Sequence, residues 1–154
     1  MIVEAADQAN AALDHAARVA ARPTFDRLLL DFAQALSQRS TCRRLQVGCV
    51  IASADHRRVY AIGYNGSAAG GPNDCDSAEP GKCGCVHAEA NACIKCDVAG
   101  ELPKVVYVTD LPCVMCAKFL INMGGVQRVL YGRDYRIRDG LEWLRRAGIE
   151  AAQL

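Results

Sequence analysis

Residues 87–131 read HAEANACIKCDVAGELPKVVYVTDLPCVMCAKFLINMGGVQRVLY. The spacing of apolar residues predicts a helix from His87 to about Asp97, a strand from Val105 to Thr109, a helix from Pro112 to Met123 and a strand from Val126 to Tyr131. Alternation of this kind folds through right-handed crossovers and puts helices on a largely parallel sheet. Toward the C-terminus, Leu141, Trp143, Leu144 and Ala147 predict one more amphipathic helix, ended by Gly148, with Ile149 opening a final strand. Toward the N-terminus, Val47 to Ala52 and Val59 to Ile62 flank the polar turn Asp55-His56-Arg57-Arg58 and predict an antiparallel hairpin. Before it, Phe25, Leu28, Leu29, Phe32 and Leu36 recur at helical spacing after Pro23, in a helix expected to end near Ser40. The expectation is a three-layer α/β/α domain over residues 23–154, built on a mixed five-stranded sheet. Residues 1–22, rich in alanine, are expected to form a loosely docked helical extension.

The chain has 154 residues, 51% hydrophobic and 23% charged, enough apolar material for a sizeable core and too much for wholesale disorder. With 18 Lys+Arg against 17 Asp+Glu the formal net charge is +1, so nothing global recruits a polynucleotide or an anionic membrane. No run approaches the roughly 18 apolar residues of a membrane span. Glu4 and Asp7 interrupt the segment where a secretory signal would need an apolar run, so a cytoplasmic protein is expected. In a reducing compartment nine cysteines argue for metal thiolates over a disulfide framework.

Two residues apart on a helix point roughly 200° away from each other, so His87 and Glu89 address one site only if it lies beyond the helix N-terminus. Pro112 suits a first helical position, which puts Cys113 and Cys116 on one face at the mouth of the next helix. In a βαβ unit both helix starts meet at the same sheet edge. One imidazole and two thiolates leave a tetrahedral zinc one open position, and zinc lowers the pKa of a water held there to about 7. Glu89, left unliganded, is placed to take a proton from that water and return it. A lone His-x-Glu is ordinary helix-start polarity, and a Cys-x-x-Cys alone has many meanings. Their ordered combination, His-x-Glu then Pro-Cys-x-x-Cys, resembles the signature of zinc deaminases acting on cytosine or adenine.

The resemblance extends to Arg39-Ser40-Thr41-Cys42, Val47-Gly48, Gly63-Tyr64-Asn65-Gly66-Ser67, Asn91-Ala92, Asp134-Tyr135 and Ala147-Gly148-Ile149. Over roughly residues 25–150 the chain resembles the deoxycytidylate (dCMP) deaminase family. That resemblance implies the cytidine deaminase-like fold, a homo-oligomer, and hydrolysis of a free cytosine deoxynucleotide, dCMP to dUMP with release of ammonia. It further implies a substrate pocket drawing on Asn65, Gly66, Ala88, Tyr135 and Arg43; for Asn65 the competing reading is a plain Asn-Gly turn. Arg43, Arg44, Lys82 and Lys95 are the cations available to a phosphate. Alternatives are deamination of dCTP or deoxycytidine, or a non-enzymatic, zinc-stabilised binding module.

The segment Gly63 to Cys85 is rich in glycine and holds two prolines and three cysteines, too long a loop to stand without a staple. Some members of the resembled family carry a second zinc in this region. Cys42, Cys75, Cys83 and Cys85 are the candidate ligands of such a structural site, against the alternative of free thiols packed as small hydrophobes. Cys49, Cys93 and Cys96 are expected to pack only, and His15 and His56 have no partner at ligand spacing.

Overall fold

The computed structural model describes residues 2–79, 82–135 and 137–154; Met1, Pro80, Gly81 and Arg136, which the readings of the extension and the long loop include in part, lie outside the described residues. In chain order the elements are α1 (Ile2–Ala20), α2 (Phe25–Ser37), β1 (Gly48–Ser53), β2 (Val59–Tyr64), α3 (Ala88–Lys95), β3 (Lys104–Asp110), α4 (Val114–Met123), β4 (Val126–Arg133), α5 (Asp139–Arg146) and β5 (Glu150–Gln153). One sheet runs β2-β1-β3-β4-β5. β1 is antiparallel to β2 and β3, while β3, β4 and β5 are mutually parallel. The mixed five-stranded α/β sheet is therefore the one expected.

Every residue of the central strands β1 and β3 is buried, which is why their middles, residues 49–52 and 105–108, read as continuous apolar runs without alternation. Ile51, Val106 and Val108 share one apolar layer with Leu120 of α4 and Leu144 of α5. Val50, Val105, Tyr107 and Leu130 share the other with Leu30 and Ala33 of α2. Two glycines set the helix-to-sheet distance. A β-carbon at Gly63 would lie 2.1 Å from the Ala88 carbonyl oxygen, and one at Gly48 would lie 1.9 Å from that of Ala33. Any side chain at Gly63 would thus push the start of α3 off β2.

Several boundaries differ from expectation. α2 stops at Ser37, short of Ser40. α3 stops at Lys95, because Cys96 is extended. α4 starts at Val114 and not at Pro112, because Cys113 is itself in extended conformation (φ −68°, ψ 171°). β2 and β4 run two residues further than predicted, to Tyr64 and Arg133. From Asn10 onward the side chains of α1 are exposed.

Asp26, in the first turn of α2, ties that helix to β3, β4 and the turn between β1 and β2. Its carboxylate accepts hydrogen bonds from the Tyr107 hydroxyl (2.7 Å), the Arg128 guanidinium (3.1 Å) and His56 Nε2 (3.1 Å), and the His56 ring stacks on Phe25. Burial opposes the Asp26 carboxylate, but these donors outweigh it and hold its pKa below the ordinary value. Asp26→Asn should cost about 1.5–3 kcal/mol at neutral pH, the usual worth of hydrogen bonds to a charged group. Since the folded-state pKa is depressed, this stabilisation is complete above the unfolded pKa and is lost as pH falls through the folded one. Urea unfolding should therefore show the gap between variant and wild type closing in acid; a gap unchanged in strong acid would contradict the assignment.

Candidate active site

His87 is the N-cap of α3 and Cys113 the N-cap of α4; both are extended, and neither side chain is used in a cap hydrogen bond. Each is therefore free to point past its helix start into a common space, with Cys116 one turn into α4. His87 Nδ1 lies 3.3 Å from Cys116 Sγ and 3.6 Å from Cys113 Sγ, and the three ligand atoms all fall within 4.8 Å of one another. A tetrahedral zinc with N and S ligands at about 2.0 and 2.3 Å requires an N···S separation of about 3.6 Å. The donor set fits. Hydrogen bonding from Cys116, and then from His87, outweighs burial and pulls the Cys113 thiol down to about 3, the thiolate that a metal ligand must be.

Glu89, in the first turn of α3, is buried at 4% exposure and faces the same cavity. Burial pushes its carboxyl pKa up, with the neighbouring His87 and its own backbone N–H acting against the rise. A carboxyl that holds a proton readily beside an open metal position is the group acid–base chemistry requires.

Around these residues the cavity is lined by Cys42, Arg44, Leu45, Val47, Asn65, Cys83, Cys85, Ala88, Asp110, Leu111 and Tyr135. Of the expected pocket residues, Asn65, Ala88 and Tyr135 are on this wall. Asn65 is no left-handed turn residue: His56 alone among the described non-glycine residues has positive φ. Its amide oxygen accepts from Val47 N–H (2.8 Å) and its amide nitrogen donates to the Leu45 carbonyl (2.7 Å), leaving one N–H toward the cavity. Gly66 and Arg43 are not on the wall. Gly66 exchanges backbone hydrogen bonds with Val86 and zips the ends of the long loop, while exposed Arg43 turns away to pair with Asp74. Its neighbour Arg44 faces the cavity instead and has no ion-pair partner among the described residues. Lys82 pairs with Glu79, and Lys95 lies over the Tyr64 ring.

A second thiol cluster borders the first. The sulfurs of Cys42, Cys83 and Cys85 fall within 4.8 Å of one another, and Cys75 Sγ lies 3.8 Å from Cys42 Sγ and 3.7 Å from Cys85 Sγ. Four thiolates around zinc at about 2.3 Å would be separated by about 3.8 Å. Burial disfavours a Cys42 thiolate, but the backbone N–H groups of Leu45 and Arg44 prevail and bring its pKa to about 7. The Arg43 N–H reaches Cys75 Sγ at 3.4 Å. Cys49, by contrast, is fully buried in the apolar core, with Cys93 and Cys96 packed against it.

Residues 23–133 match the family model for the cytidine and deoxycytidylate deaminase zinc-binding region. The chain belongs to this family. A deoxycytidylate deaminase of Mycobacterium phage D29 is 38% identical over 128 residues, 73% of this chain and 98% of the phage protein. The deoxycytidylate deaminase of Saccharomyces cerevisiae is 33% identical over 145 residues, 86% of this chain but only 45% of the yeast protein. Among solved structures, the dCMP deaminase of cyanophage S-TIM5 in complex with dCMP and dUMP superposes with a TM-score of 0.75 at 30% identity, covering 86% of this chain and 98% of the phage chain. A zinc-dependent, cytidine deaminase-like hydrolase fold is thus established for this family member.

Three cavity residues carry no signal of their own in the sequence. Leu111 and Val47 look like any apolar residue beside a strand, and Asp110 like any acid at a strand end. Only their position in the fold, Val47 hydrogen-bonded to Asn65 and Asp110 and Leu111 just before Cys113, brings them to the wall.

Proposed function

We propose that the chain hydrolyses dCMP to dUMP and ammonia, with Glu89 as the proton carrier and His87, Cys113 and Cys116 holding the catalytic zinc. The observation that carries this reading is the buried Glu89 carboxylate in one cavity with His87 and Cys113, with the Cys116 sulfur within 4.8 Å of both of their ligand atoms. Zinc bound by such a set supplies Lewis acidity that makes water a nucleophile at neutral pH. Glu89 takes one proton from the attacking water and passes it to ring N3, then takes the second from the new C4 hydroxyl and passes it to the departing amine. The C4–N4 bond breaks, a C4–O bond forms, and water supplies oxygen and hydrogen, so that atoms balance in dUMP and ammonia. Asn65 and the backbone at Ala88 hold the nucleoside, and Tyr135 lines its pocket.

Arg44 is the cation for the phosphate, since it lines the cavity without a competing carboxylate, whereas Arg43 has one. Arg44→Ala should raise KM for dCMP by about tenfold or more, the loss of one charge-assisted hydrogen bond. A panel of dCMP, CMP, dCTP, deoxycytidine and cytidine, read by ammonia release, tests the substrate. Preference for dCMP is the expected result; deoxycytidine turned over as efficiently would make the protein a nucleoside deaminase.

Cys42, Cys75, Cys83 and Cys85 hold a second, structural zinc that staples the long loop, a reading supported by the close grouping of the Cys42, Cys83 and Cys85 sulfurs and by Cys75 at the tetrahedral spacing from two of them. Reduced thiolates of this kind suit a cytoplasmic enzyme. Net charge near zero favours a free nucleotide over a polynucleotide. The exposed apolar side chains Ile94, Met115 and Phe119 on α3 and α4 support a homo-oligomer, with α1 (Ile2–Ala20) as an appended helix.

A further inference from the structure

One wall of the cavity is a segment without regular structure. Residues 41–47, between α2 and β1, contribute Cys42, Arg44, Leu45 and Val47 to the lining. Apart from one backbone bond, from the Asn65 N–H to the Val47 carbonyl (3.2 Å), this segment has no ladder or helix to hold it and relies on side chains reaching its backbone. Asn65 binds residues 45 and 47. The residue between them, Gln46, gives its carbonyl oxygen to the Arg133 guanidinium at 3.2 Å.

The same guanidinium forms a two-pronged pair with Asp110, Nε to Oδ1 at 3.0 Å and a terminal nitrogen to Oδ2 at 2.9 Å. Asp110 ends β3, stands opposite Arg133 in the parallel ladder, and lines the cavity three residues before Cys113. Its side chain is 10% exposed, and Thr109 Oγ1 donates to it as well, at 2.7 Å. Arg133 therefore does two things at once. It anchors the Arg44 segment, and it neutralises a second cavity carboxylate that would otherwise face an anionic substrate.

We propose that Arg133 is a positioning residue that makes the cavity selective for phosphorylated substrate, acting through Asp110 and the Gln46 carbonyl. The proposal rests on the nucleotide reading above. It depends on the fork shape of the guanidinium as well as its charge, because an ammonium cannot grip both carboxylate oxygens and a carbonyl in one plane. It also predicts asymmetry between substrates: deoxycytidine is neutral, so neither an uncompensated Asp110 nor a displaced Arg44 affects it strongly.

The test is steady-state kinetics of the zinc-loaded protein with dCMP and deoxycytidine, alongside zinc content and melting temperature. Arg133→Ala should raise KM for dCMP at least about tenfold through an unscreened like charge and a misplaced cation, with kcat changed less than about threefold. KM for deoxycytidine should change less than about threefold, and zinc content not at all. Arg133→Lys should recover part of the loss, and Asp110→Asn added to Arg133→Ala should recover part by a separate route. An unchanged KM for dCMP in Arg133→Ala would overturn the inference alone. So would equal increases for both substrates accompanied by a lower melting temperature, the mark of a merely structural residue. A wild-type protein that carries zinc yet converts no dCMP would overturn the function and this inference together.

Discussion

Glu89→Gln should fold, retain its zinc and lose catalysis by a factor of about 10² to 10⁴ or more, the usual worth of a general acid–base group. The amide is nearly isosteric with the carboxyl it replaces, so the buried position at the start of α3 is filled without a cavity. On the proposed reading metal binding and proton transfer belong to different side chains, with His87, Cys113 and Cys116 offering the three ligand atoms. His87→Ala should therefore behave differently, losing activity and metal together. Zinc measured on purified protein beside kcat separates the two, and substantial turnover by a folded Glu89→Gln protein would remove that residue from the mechanism.

The second large effect is expected at the loop cluster. Replacing Cys75 and Cys83 together by serine should lower the zinc content from two ions per chain to one. Structural zinc is worth on the order of 10 kcal/mol in small peptides, and a domain of this size shifts by roughly 2–4 °C per kcal/mol. A fall in melting temperature of about 10 °C or more is therefore expected even if much of the metal's contribution is local to the loop. Because Cys42, Cys83 and Cys85 also line the cavity, KM for the substrate should rise in the same variant. One zinc per chain in the wild type, with the double variant equally stable, would reduce these cysteines to packing.

His87, Glu89, Cys113 and Cys116 were legible in the sequence because each demand of the chemistry is local: a ligand type, a short spacing and a helix start. The sheet was legible for a similar reason, since the fully buried β1 and β3 announce themselves by unbroken apolar middles, residues 49–52 and 105–108. Arg43 and Arg44 could not be told apart. They sit in a segment with no periodicity, where neighbouring side chains diverge and only the fold decides that one meets Asp74 and the other the cavity. The Arg133–Asp110 pair spans 23 positions and exists only once the parallel register of β3 and β4 is formed. Asp26 is more remote still, 81 positions from Tyr107 and 102 from Arg128. The start of α4 at Val114 lies two residues after the expected Pro112, because proline is favourable both within a first turn and just before it, and the extended backbone of Cys113 chose the latter.

The central claim is hydrolysis at the pyrimidine ring of a free deoxynucleotide, and isotope transfer tests it most directly. Zinc-loaded protein incubated with dCMP in ¹⁸O-labelled water should yield dUMP carrying one heavy oxygen on the base, with an equimolar amount of ammonia, and Glu89→Gln should yield neither. Unaltered dCMP after incubation with folded, zinc-loaded wild-type protein would contradict the account.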